Sequence, residues 1–402
     1  MKRISLNVLL TLTTAAIVVL ASCQKEKSLN ENENSTSVDT AFIHATFNGR
    51  INISNPLNYA VQFIPGYITK SNGMFNPVSD KGATLGRVLF YDKQLSVNNT
   101  ISCGSCHRQQ FAFGDTAVAS IGVNGKTGRH SMRLINARFG QEVKFFWDER
   151  ANSLEEQTTQ PIQDHAEMGY SGQNGDPGIA DLITKMKGIG YYRELFTWVY
   201  GSEEITEQKM QLALAQFIRS IASFDSKYDV GRSQAPNDAA PFSNFTAQEN
   251  NGKNLFLAPP TFDPMGVRTG GGLGCGGCHR APEFDIDPNS RSNGIGGSIN
   301  GGPDFTNTRS PSLRNLTNAQ GVTNGPMMHT AVIIDLQASI GHYGNLVNAA
   351  INNSNLDPRL KPGGRGQQLN LNATEVNAVI AFLKTLSGTD VYTNKKWSNP
   401  FL

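Results

Sequence analysis

Large apolar residues are spread unevenly along the chain, and their spacing divides it into segments. After Lys2 and Arg3, residues 4 to 20 are mostly apolar. From Gln24 to about Asn55 the chain is rich in Asn, Glu, Ser and Lys, and it reads as a flexible tether. Beyond it the pattern runs twice. Leu85-Gly86-Arg87-Val88-Leu89-Phe90 predicts a short helix, and Thr246 to Phe256 predicts another with the same Gly-x-x-Leu-Phe ending. Thr246 and Glu249 have the spacing of a capping box. Two longer amphipathic helices close the halves, each after a Thr-Glu start. One runs through Ala213, Leu214, Phe217, Ile218 and Ile221, the other through Ala378, Val379, Phe382, Leu383 and Leu386. Gly388 is the expected stop of the second. Little of the chain alternates with a period of two, so few strands are expected.

Between the opening and closing helix of each half lies a C-x-x-C-H: Cys103-Gly104-Ser105-Cys106-His107, then Cys275-Gly276-Gly277-Cys278-His279. Thiols at i and i+3 can form thioether bonds to the two vinyl groups of one porphyrin, with the adjacent His as axial ligand to its iron. A single zinc site or a pair of disulfides leaves both trailing histidines unexplained. The expected architecture is mainly α: two tandem cytochrome c-like domains, each binding one covalent c-type haem, over residues 56–235 and 236–402. The boundary falls near Ser233-Gln234-Ala235-Pro236-Asn237.

The fifth cysteine completes the N-terminal reading. Leu20-Ala21-Ser22-Cys23 resembles a bacterial lipoprotein signal, which implies a signal peptide over 1–22, lipid on Cys23 and a tether over 23–55. The apolar run is short for a transmembrane anchor. Lipidation and c-type haem attachment both place the chain in the cell envelope, outside the cytoplasm. A net charge of +2 gives no case for nucleic acid. Forty glycines and 18 prolines imply many loops, which haem domains tolerate because the porphyrin supplies much of the core.

Three further blocks carry chemistry: Phe145-Phe146-Trp147-Asp148-Glu149-Arg150, Leu154-Glu155-Glu156-Gln157, and Pro161-Ile162-Gln163-Asp164-His165-Ala166-Glu167-Met168-Gly169. With both C-x-x-C-H motifs and the Leu-Gly-x-x-Leu-Phe opening, residues 77 to 390 resemble the bacterial di-haem cytochrome c peroxidase family, which includes the methylamine-utilisation maturase branch. The resemblance implies that Glu167 is the acid-base group on the distal side of the N-terminal haem. It implies that Gln157 hydrogen-bonds in the same pocket and that Trp147 lies between the haems and assists electron transfer. Electrons from a small cytochrome c or cupredoxin would be received at the C-terminal haem and used on hydrogen peroxide at the N-terminal one. A maturase-like oxidase acting on a protein partner and a plain electron carrier remain as alternatives, and a homodimer is left open.

The second haem needs a sixth ligand if it is to be the low-spin electron acceptor. Met327, Met328, His329, His342 and Tyr343 are in range. In the family that ligand stands fourteen positions beyond the His of a Pro-x-x-His motif; here Pro326-Met327-Met328-His329 leads to Tyr343, with Met328 as second choice. Two departures stand out. Gly122 occupies the position of the His that blocks the N-terminal iron in relatives needing reductive activation, and His130 occupies that of an Asn associated with a calcium ion. His130 is an alternative ligand to that iron, and His165 is expected at the pocket rim.

Overall fold

The computed structural model describes residues 40–401, so the signal segment and Cys23 lie outside the described residues. Helices come first: α1 (Ala41–Phe47), α2 (Asp80–Tyr91), the one-turn α3 (Cys103–Cys106), α4 (Leu154–Thr159), α5 (Ile179–Lys187), α6 (Gly190–Tyr200) and α7 (Glu207–Ser220). α8 (Lys227–Gln234) and α9 (Ala247–Leu257) follow, then two short antiparallel pairs, β1 (Pro260–Phe262) with β2 (Arg268–Gly271) and β3 (His279–Arg280) with β4 (Asp285–Ile286). The chain ends with α10 (Leu336–Gly344), α11 (Val347–Asn352) and α12 (Ala373–Lys384).

The repeat seen in the apolar pattern is a repeated helix crossing. α2 packs on α7, and α9 packs on α12. At the first crossing Gly86 lies so close to α7 that an added Cβ would overlap the Ala213 carbonyl; at the second, Gly252 stands in the same relation to Ala378. The aromatic partners repeat as well. Phe90 and Phe217 have ring centroids 5.1 Å apart, and Phe256 and Phe382 have theirs 5.3 Å apart. Each such ring is fully or nearly buried, and burying a side chain of this size stabilises by about 1.5–3 kcal/mol. The glycine sets the distance, and the phenylalanines fill it.

Caps locate the helix ends. Thr246 and Glu249 form the expected capping box of α9, and Thr206 caps α7 through the Lys209 N–H. At α12 the cap is Asn372 rather than the Thr-Glu pair, with Glu375 completing the box. α12 ends at Lys384, before Gly388, whose closeness to Asp225 leaves no space for a side chain there.

Two apolar clusters form, one around α2, α6 and α7, the other around α9 and α12. Two segments cross expectations. Residues 41–47, expected within the flexible tether, form α1, with Ile43 and Phe47 buried against the first cluster. The carboxylate of Glu194 on α6 accepts the N–H groups of Phe42 and Ile43, satisfying the otherwise bare N-terminus of α1. The C-terminal residues return to the first cluster: Trp397 is buried there and donates its indole N–H to the Ser220 carbonyl at 3.1 Å, while Tyr91 donates to the Trp397 carbonyl. Among the described residues no helix is long and apolar enough to cross a membrane.

Candidate functional site

The first C-x-x-C-H begins at Ser102, whose N–H donates to the Ser105 hydroxyl at 3.0 Å and whose carbonyl accepts the Ser105 N–H at 2.9 Å. One helical turn brings Cys103 and Cys106 to the same side, and the His107 N–H closes the turn on the Cys103 carbonyl at 2.9 Å. The Tyr91 ring covers Gly104 so closely that a side chain there would overlap it. His107 Nδ1 lies 3.3 Å from the Phe113 carbonyl, which leaves Nε2 for another partner. Burial pushes the Cys103 thiol up to about 12 and the Cys106 thiol up to about 11, and it lowers His107. These are neutral, unpaired thiols beside a neutral imidazole.

The three residues line a cavity of about 60 Å³ that Gln157 and Glu167 also line, with an apolar wall that includes Phe90, Ile101, Leu134, Leu214 and Ile218. Gln157 sits on α4, whose N-cap Ser153 accepts the Glu156 N–H. Glu167 sits in a turn held by Asp164, whose Oδ1 accepts the N–H groups of Ala166 and Glu167. Burial first, and the Asp164 charge second, raise the Glu167 carboxyl to about 7, while Arg150 pulls the other way. Over this turn lies the loop closed by the Ile121–Lys126 bridge. Val123 donates to the Glu167 carbonyl at 3.0 Å, Asn124 donates to that of Ala166 at 3.2 Å, and Gly122 is pressed against both residues. His165 turns to solvent and pairs with Asp176 at 2.7 Å, so it is not among the lining residues.

The second C-x-x-C-H follows Gly274, which adopts a left-handed φ of 73°. Cys275, Cys278 and His279 line a larger cavity of about 680 Å³. Burial raises these thiols to about 12 and about 11 and lowers His279 to about 4. The His279 Nδ1 is buried with no hydrogen-bond partner. An imidazole this easily kept neutral, two free thiols and an apolar space of this volume suit a porphyrin and its iron. The donor set at the first motif is the same, but the space there is much smaller as its side chains stand.

Tyr343 and Met328 both line the second cavity, together with Asn293. Two other candidate ligands are already engaged: His342 Nε2 lies 2.9 Å from the Asn293 carbonyl and His329 Nε2 lies 2.8 Å from that of Gly297. Met327 closes a backbone bridge with Ile333. Asn293 was not singled out from the sequence. It sits in an Asn- and Gly-rich loop with no motif to mark it.

Trp147 stands at the tip of a tight loop closed by the Phe145–Ala151 bridge, with left-handed φ values at Phe146 and Glu149. Its indole N–H donates to the His130 carbonyl at 2.7 Å, and its own carbonyl accepts from Thr308 and Arg309 at 2.9 and 3.0 Å. Arg129 ties this loop to the second half through Asp148 (2.6 Å) and Asp304 (2.9 Å). Trp147 lines the larger cavity, and Ser131, next to His130, lines both. His130 lines the larger cavity and not the one that His107 lines, with Nδ1 on the Ala117 carbonyl at 2.9 Å, so the structure does not bring this alternative ligand into the first pocket. Among the described residues no three His, Cys, Asp or Glu side chains gather as one metal site, so the two C-x-x-C pairs do not converge on a zinc ion.

Residues 80–235 match the family described as di-haem cytochrome c peroxidase. The chain is 27% identical to the methylamine utilization protein MauG of Methylophilus methylotrophus over 325 residues, covering 78% of this chain and 84% of that one. It is 29% identical to the cytochrome c551 peroxidase of Nitrosomonas europaea over 324 residues, covering 76% and 80%. A solved structure, described as a MauG-like protein associated with microbial copper homeostasis, superposes with a TM-score of 0.64 at 26% identity, covering 85% of this chain and 99% of that one. The paired cavities with their C-x-x-C-H residues, the repeated helix crossing and these relatives agree in their likeness to the di-haem cytochrome c peroxidase family, whose pattern residues 80–235 match.

Proposed function

We propose that this protein reduces hydrogen peroxide to water with electrons from a small cytochrome c or cupredoxin. Cys103, Cys106 and His107 would hold one haem c, and Cys275, Cys278 and His279 the other. When bound, the two haems supply the iron redox chemistry that accepts electrons and passes them to peroxide. The chain supplies the rest. Glu167 takes a proton from the peroxide oxygen nearer His107's cavity wall and returns it to the oxygen that leaves as water; a positioned group of this kind contributes about 10²–10⁴-fold. Gln157 orients the peroxide by hydrogen bonding, and Trp147 bridges the halves along the electron path. The observation that carries the reading is a carboxyl raised to about 7 in the cavity that His107 lines. An acid-base group works best when its pKa lies near the working pH. Lipid on Cys23 would anchor the enzyme in the cell envelope.

The test is steady-state peroxide reduction by the haem-loaded protein with a reduced cytochrome as donor. Turnover supports the reading; a protein that binds both haems and is inert to peroxide refutes it. One observation favours a maturase-like oxidase instead, namely Tyr343 lining the second cavity. Oxidation of a protein partner without turnover of the reduced cytochrome would select that reading.

A further inference from the structure

We infer that Asn293 is a positioning residue that decides between Tyr343 and Met328 as the sixth ligand of the second haem. The inference rests on the two-haem reading above. The Asn293 Oδ1 accepts the Ile295 N–H at 3.0 Å. That bond fixes which end of the amide is which, because a backbone N–H can face only the carbonyl end. Nδ2 is therefore the end that meets Met328 Sδ, at 3.1 Å, in the cavity that Tyr343 also lines. Its backbone carbonyl also accepts from His342, so one residue touches two of the candidates.

A thioether is a weak acceptor, and an N–H on its sulfur must be released before that lone pair can serve a metal. Asn293 thus engages the sulfur of Met328 and leaves the Tyr343 side chain lining the same cavity.

Asn293→Asp separates this role from loop structure. The carboxylate keeps the shape and still accepts the Ile295 N–H, but it has no N–H to give. The haem-loaded variant is expected to gain the methionine-to-iron charge-transfer band, and the reduction potential of the second haem should rise, as it does when methionine replaces an oxygen ligand. Adding Met328→Leu should remove the band, and Tyr343→Phe in the parent should change its spectrum. Asn293→Ser is the second variant should the new charge disturb haem loading, with the same band expected. Mass spectrometry keeps the two ideas apart. A parent chain without two haem masses sinks the two-haem reading itself. Two haem masses with parental spectra and potential in both Asn293 variants overturn the role of Asn293 alone, as does a parent spectrum indifferent to Tyr343→Phe.

Discussion

Trp147 donates its indole N–H to the backbone carbonyl of His130 at 2.7 Å, and this bond joins the two loops that separate the cavities. His130 is itself held from the other half, because its N–H donates to the His329 carbonyl at 2.8 Å. The Trp147 ring meets the His329 ring edge-on, with centroids 6.2 Å apart. Indole, peptide and imidazole thus form one braced unit between the halves.

Trp147→Phe keeps an aromatic ring but leaves the His130 carbonyl without its donor. The loss should be about 1–3 kcal/mol, the cost of stranding a buried acceptor. Chemical denaturation of the haem-loaded protein measures it. If Trp147 also lies on the electron path, transfer between the haems slows in the same variant, as rapid-mixing absorbance would record. A parental transfer rate would remove Trp147 from the path while leaving its structural role.

The two helix crossings make a paired prediction. Gly86→Ala and Gly252→Ala each push a Cβ into a backbone carbonyl, at Ala213 and Ala378, where no flexible side chain can give way. Each should destabilise the protein by about 1–3 kcal/mol through overpacking. Gly341 in α10 is the control, with nothing within 4 Å of an added Cβ. Gly341→Ala should be neutral or stabilising by up to about 1 kcal/mol, the helix preference of Ala over Gly. Equal thermal shifts for all three would mean that the crossings are looser than they stand here.

The helices that cross were legible in the sequence because what they need is local, apolar residues at helical spacing; that they cross at Gly86 and Gly252 was not, since the partners lie over a hundred positions away. The haem motifs were legible because they too are local. α1 was not, since it is only seven residues long and buries just Ile43 and Phe47. What orders it is Glu194, far along the chain, and no local pattern announces that bond. The return of Trp397 to the first cluster escaped for the same cause. Which cavity His130 lines was not legible, because sequence position places a residue in a loop without saying which way the loop faces. Asn293 matters through contacts to residues 35 and 49 positions away, beyond the reach of any motif.

Gly122 ties the distal wall to Glu167. A Cβ there would overlap the Ala166 carbonyl and the Glu167 backbone, so even Gly122→Ala must move the turn that carries the carboxyl. Displacing a catalytic group by about 1 Å can cost about 10²-fold in rate. Peroxide turnover of Gly122→Ala is expected to fall on that scale with both haems retained. Gly125→Ala, in the same loop, meets only the Ala166 Cβ at an ordinary 3.5 Å and should be near parental. The same crowding bears on a blocking histidine. Gly122→His should perturb the Glu167 turn rather than simply place an imidazole in the cavity, and comparable turnover of Gly122→Ala and the parent would argue against this account.

Glu167 makes the sharpest prediction because its charge enters both activity and stability. The carboxyl is raised to about 7 against an ordinary value near 4.3, chiefly by burial and then by Asp164. The folded chain therefore prefers the neutral acid. That contribution to stability is fully present below about pH 4.3 and is lost as pH rises through about 7. Glu167→Gln is neutral at every pH, so its stability relative to the parent should grow as pH rises from about 4.3 to about 7 and level off above that. Activity should move the opposite way. The parent needs the carboxylate to take the first proton, so its turnover rises with pH through about 7. Glu167→Gln should lose about 10²-fold or more and show no such rise. Haem content and resting iron spectra should stay parental, because this side chain is not a ligand. The measurement is a pair of pH profiles, one of denaturation midpoint and one of peroxide turnover, on fully haem-loaded parent and variant. A variant that is both stabilised at high pH and catalytically dead there separates the two roles cleanly. Near-normal turnover would move the proton transfer to another group, and a parental stability profile would mean that the carboxyl is better solvated than its surroundings imply.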